Sequence, residues 1–87
     1  MSLVNLLESA ENLQDINLFR IYNLHKLSHD RKDKYALDIN GRRSGYRLII
    51  QPINIDGTKF INKGDNLIEF YREVEIIGVE EVSNHYE

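Results

Sequence analysis

Leu3, Leu6, Leu7, Ala10 and Leu13 recur at intervals of three and four, the spacing of one helix face, and predict an amphipathic helix over residues 2–11. Asn12 can cap a second short turn, with Asp15 at the acid-favouring third position and Leu13 and Ile16 turned inward. Phe19, Ile21, Tyr22 and Leu24 then form an irregular link expected to pack under the helix as core. From Lys34 the period changes to two. Tyr35, Leu37 and Ile39 alternate with Ala36, Asp38 and Asn40, the pattern of a half-buried strand.

Asn40-Gly41 opens a turn and Ser44-Gly45 closes it, because glycine reaches the positive φ angles a reversal needs. The return strand "YRLIIQ" places Tyr46, Leu48 and Ile50 on one face and Arg47, Ile49 and Gln51 on the other, and Pro52 is expected to end its ladder. Asp56-Gly57 and Gly64-Asp65 mark a protruding loop with a small hairpin of its own. "EVEIIGVEEV" supplies a last strand near Val74 to Val82, with Gly78 as a candidate bulge. Helical residues first and strands after them make an α+β fold, an N-terminal helix packed on an antiparallel β-meander of three or more strands. At 87 residues the chain has room for one domain, 1–87, with one modest core.

Composition narrows the chemistry. A chain 41% hydrophobic and 29% charged has a globular balance, and without cysteine it has neither disulfides nor thiolate metal ligands. His25, His29 and His85 are too scattered to form a metal cluster by spacing, and nothing in the sequence calls for a cofactor. No apolar run approaches the roughly 20 residues that span a bilayer, so a soluble cytoplasmic protein with no membrane partner is expected. The net charge of −3 is unevenly spread. Residues 20–47 hold eight cations against three acids, a net +5, whereas residues 48–87 carry −5. A basic cluster of this kind either forms a solvated charged hairpin or meets several phosphates. The acidic surroundings argue against tight binding of nucleic acid without further positioning contacts.

Arg47 is the informative residue of that cluster. It stands mid-strand between apolar neighbours, where an unpaired charge is costly to bury. Either an acid such as Glu75 pairs with it, or its face of the sheet is an open groove.

The segment "LHKLSHDRKDKYALDIN", followed by "YRLII", resembles the signature of the RelE/HigB-type toxin superfamily. In that family a leucine-histidine pair leads to a "GDRKG" turn, an aromatic-started strand and a "YR" or "WR" strand. "LLESAENLQDI" is similar to the family's second helix. "RLIIQP", a long polar loop, "VEIIGVEEV" and a His/Tyr tail are closest to the branch described as plasmid maintenance or killer proteins. The likeness runs from about Leu6 to the end of the chain. It implies a toxin of a two-gene toxin-antitoxin module, an endoribonuclease that cuts mRNA at the ribosome and pairs with a cognate antitoxin. Because the ribosome would hold the mRNA, an acidic chain with a basic groove would suffice.

Transferred to this sequence, the resemblance makes Arg47 the candidate for stabilising the phosphate in the transition state, since a guanidinium keeps its charge and bridges two phosphate oxygens. His25, His85 and Tyr86 become the candidates for proton transfer, and Arg31, Lys32 and Lys34 would hold the RNA backbone, with Arg42 and Arg43 beside the groove. The chain departs from the family in several places. His29 and Asp33 replace the turn glycines, the turn after Asn40 is longer, and the tail reads Asn84-His85-Tyr86 where the family has an acid-Tyr-His order. The strand and helix that open full-length members are missing here. Either the sequence is a truncated form of a longer member, or it is an N-terminally shortened RelE/ParE-like domain whose exposed sheet edge is covered most simply in a symmetric homodimer. Alternatives are a non-catalytic, toxin-derived module that binds an antitoxin-like protein, and, ranked lower, a ParE-like contact with DNA gyrase.

Overall fold

The computed structural model describes residues 2–28, 31, 33–39 and 45–84. Its elements are α1 (Leu3–Ser9), α2 (Leu13–Asn17), a 3₁₀ turn (Arg20–Tyr22), β1 (His25–Lys26), β2 (Tyr35–Asp38), β3 (Tyr46–Ile53), α3 (Leu67–Glu73) and β4 (Ile76–Asn84). The strands form one antiparallel sheet in the order β1-β2-β3-β4, which makes the chain an α+β protein as its patterning predicts.

Each helix starts where a side chain can take over an orphan backbone donor. Ser2 Oγ accepts from the Asn5 amide at 3.2 Å, Asn12 Oδ1 from the Asp15 amide at 3.1 Å, and Asn66 Oδ1 from the Glu69 amide at 2.9 Å. The Asn12 cap and its Asp15 match the sequence expectation. α3 does not, because the sequence reading ran the polar loop straight into the last strand. Asn66 with Glu69 three residues later, then Phe70, Tyr71 and Val74 at helical intervals, carry the missed signal.

The helices lie on one face of the sheet. Leu6 of α1, Leu13 and Ile16 of α2, Tyr22, and Phe70 and Tyr71 of α3 cluster with Tyr35 and Leu37 of β2 and Leu48 and Ile50 of β3. Aromatic rings close the centre: Tyr35 meets Tyr71 edge to face at 5.6 Å and stacks on Phe70 at 5.9 Å, and Phe60 meets Phe70 edge to face at 5.1 Å. Within the link after α2 only part of the expected packing holds. Tyr22 is buried and Leu24 packs against the core, but Phe19 and Ile21 are exposed.

β2 is buried on both faces, not on one, since Ala36 and Asp38 are as inaccessible as Tyr35 and Leu37. β3 also runs through Pro52 to Ile53, where the sequence reading stopped it. The reason lies in where Pro52 points. Its carbonyl accepts from the Phe60 amide at 2.9 Å, so its missing N–H lies on the same side, away from β4 and past the end of β2, where no ladder bond is lost. The bulge falls at Glu80, not Gly78: Ile49 opposes Glu81 and Ile50 opposes Val79, which leaves Glu80 as the extra residue. Gly78 instead lies under Ile53, whose Cδ1 would stand 2.7 Å from an added Cβ.

Burial raises the phenol pKa of Tyr71 from 10.0 to about 12, with Tyr35 adding to the shift, and its buried hydroxyl has no hydrogen-bond partner among the described residues. The native state therefore holds this proton more tightly than the unfolded chain does. The resulting stabilisation is complete below pH 10 and is lost as pH rises from 10 through about 12, a fall of roughly 2–3 kcal/mol. Urea unfolding across that window should show the loss in the wild type and abolish most of it in Tyr71→Phe.

Candidate functional site

The register of β2 on β3 divides their side chains between two faces. Tyr35 opposes Ile50 and Leu37 opposes Leu48 on the helix-covered face, while Ala36 opposes Ile49 and Asp38 opposes Arg47 on the other. β1 and β4 extend the second face by placing His25 opposite Ala36, Glu81 opposite Ile49 and Ser83 opposite Arg47. One row thus reads His25, Ala36, Ile49, Glu81, and the next reads Asp38, Arg47, Ser83.

Arg47 is half-buried on this second face. Its Nε is buried without a hydrogen-bond partner, and its guanidinium enters no ion pair among the described residues. Glu75, the acid named in one of the two alternatives for Arg47, is exposed just before Ile76, which pairs with Ile53. Six residues of β3 separate Ile53 from Arg47, about 20 Å at strand rise. The acid beside Arg47 in register is instead Asp38, a buried carboxylate whose Oδ2 accepts from Asn23 Nδ2 at 3.2 Å. Neither Asp38 nor Asn23 stands out as a site residue in the sequence. Asp38 was legible in part, because strand alternation already set it opposite to Tyr35 and Leu37. Asn23 gave no signal before the link had a path.

His25 lies on the same face, its Nδ1 2.7 Å from the Asn23 carbonyl oxygen. Its Cα is two strands and two residues from that of Arg47, on the order of 12 Å away by sheet spacing. Two long side chains at that separation can approach one phosphodiester step.

Arg31 and Lys34 carry ion pairs. Arg31 Nη2 meets Glu81 Oε1 at 2.6 Å and Lys34 Nζ meets Glu80 Oε1 at 3.2 Å. Both cations belong to the connection between β1 and β2, and both acids to β4, so the pairs pass over β3 on the face of Ile49. Ala36 and Ile49 are almost fully buried on this face. Gln51 ties the same connection down, with Nε2 donating to the Asp33 carbonyl at 3.0 Å. Lys32, Arg42, Arg43, His85 and Tyr86 lie outside the described residues, as do the turn residues Asn40 to Ser44. Gly45, which closes that turn, has the positive φ expected of it, 78°.

Among the described residues no group of three or more His, Cys, Asp or Glu is placed to hold a metal ion, and no helix is long and apolar enough to cross a membrane. Comparison of the chain with known protein families, curated proteins and solved structures found no match.

The two ion pairs are surface pairs, with side chains between 27% and 45% exposed. Replacing both acids (Glu80→Gln with Glu81→Gln) should therefore lower stability in urea by under about 2 kcal/mol, roughly 1 or less for each pair. Removing those acids also frees Arg31 and Lys34, so affinity for a single-stranded RNA probe at low salt should rise.

Proposed function

We propose that this chain is the toxin of a type II toxin-antitoxin module, a RelE/HigB-like endoribonuclease that cuts mRNA on the ribosome in the cytoplasm and is restrained by a cognate antitoxin. The observation that carries the reading is Arg47: a guanidinium held by the second residue of β3, partly exposed, with a buried Nε that nothing among the described residues satisfies. A buried donor without a partner costs about 1–3 kcal/mol, a cost that a structural role does not explain and a phosphate ligand would offset.

In the reaction the ribose 2′-oxygen forms a bond to the adjacent phosphorus as the bond to the 5′-oxygen breaks, leaving a 2′,3′-cyclic phosphate and a 5′-hydroxyl. A base takes the 2′-hydroxyl proton, a cation stabilises the extra charge on the phosphate oxygens, and an acid gives a proton to the leaving 5′-oxygen. Arg47 suits the second role by its permanent charge and paired donors. His25, on the same face, suits the first, and the family resemblance gives the third to His85 or Tyr86. Arg31, Lys32, Lys34, Arg42 and Arg43 supply the surrounding positive charge, which mRNA already held by the ribosome requires only for positioning.

A second reading has its own observation. β4 is a sheet edge among the described residues, with Ile76, Val79 and Val82 exposed along it, and such an edge is a template for strand addition. On this reading the chain is a non-catalytic module that pairs with an antitoxin-like protein or with a second copy of itself.

Induction in bacteria, with mRNA ends mapped on ribosomes, separates the two. The nuclease reading expects new cleavage sites that fall by at least about 100-fold in Arg47→Ala, the usual loss on removing one transition-state donor. Intact mRNA and unchanged growth, with binding to a neighbouring gene's product retained, would support the binding module instead.

A further inference from the structure

Asn23 occupies a conformation that needs a reason. It follows the 3₁₀ turn with φ 47° and ψ 53°, and among the described residues it is the one non-glycine residue with positive φ. Asparagine tolerates the left-handed region better than most residues, yet such positions remain uncommon and gather where the surrounding structure uses them. Here the left-handed turn puts the two ends of Asn23 to separate use. Its carbonyl lies 2.7 Å from His25 Nδ1, and its side-chain amide donates to the buried Asp38 at 3.2 Å, the residue opposite Arg47.

We infer that Asn23 is a positioning residue that holds His25 in one tautomer and ties it to the Asp38–Arg47 row. A carbonyl oxygen can only accept a hydrogen bond, so the contact at 2.7 Å requires the proton on Nδ1. Nε2 of the neutral ring then carries the lone pair. That is the state a proton acceptor needs, and it is opposite to the tautomer a free histidine side chain prefers. The amide bond to Asp38 fixes the other side of the same turn to the strand that pairs with Arg47, so the proton acceptor is tied to the residue opposite Arg47 in register. The use of this tautomer in catalysis rests on the nuclease reading; the tautomer itself does not.

The test is a long-range ¹H–¹⁵N correlation spectrum of the His25 ring, recorded at a pH where the ring is neutral. The wild type should show Nδ1–H in clear excess. Asn23→Gly, which keeps the left-handed turn and the carbonyl, should retain that excess. Asn23→Val, whose branched side chain disfavours positive φ, should shift the ratio severalfold toward Nε2–H. Nε2–H predominating in the wild type would overturn the inference, as would a folded Asn23→Val protein with an unchanged ratio. Should the valine variant fail to fold, the wild-type and glycine spectra decide the matter alone. An Nδ1–H ring in a protein that cuts no mRNA would refute the nuclease reading and leave the positioning of His25 standing.

Discussion

The pairing of β2 with β3 is the constraint on which the rest of the molecule depends. Tyr35 opposite Ile50 and Leu37 opposite Leu48 present the apolar floor that the helices cover, and the same register sets Ala36 on Ile49 and Asp38 on Arg47 behind it. Because side chains alternate with a period of two, a slip of one residue would turn one strand over relative to the other, sending either Arg47 of β3 into the helix-covered core or Tyr35 and Leu37 of β2 out of it. Core and candidate site are therefore specified together. The aromatic contacts of Tyr35 with Phe70 and Tyr71 lock that choice, since they exist only while Tyr35 faces the helices.

The second face changes the meaning of the basic segment. Arg31 and Lys34 pair with Glu81 and Glu80, so part of the positive charge of the basic segment is neutralised by acids of β4. Arg47 is different in kind. It is held by a strand, it sits opposite buried Asp38 in register, and its Nε has no hydrogen-bond partner among the described residues. Within one cluster, then, Arg31 and Lys34 are paired with acids of β4, whereas Arg47 has no ion pair among the described residues.

Local signals were legible because they act through neighbours in sequence. The Asn12 cap with Asp15 and the alternation from Tyr35 onward both followed from spacing, and both hold. Features set by distant partners were not. β2 looked half-buried because alternation in the sequence does not reveal that its second face, Ala36 and Asp38, is also covered. Pro52 stays in the ladder because β2 ends before reaching it, a fact of register. α3 was hidden for another reason: the glycines and asparagines before Asn66 masked a seven-residue helix behind a loop signature. At the site, the placing of Arg47 and His25 on one face awaited the strand register, and Asn23 became visible only through its contacts.

The central claim is that Arg47 is kept for a ligand and not for the fold, and the stability of Arg47→Met in urea tests it most directly. Methionine fills much the same space without a buried, unsatisfied donor. If the claim holds, this variant unfolds at the same urea concentration as the wild type or a higher one. A loss of more than about 2 kcal/mol would contradict it, because the guanidinium would then be a structural partner in the sheet.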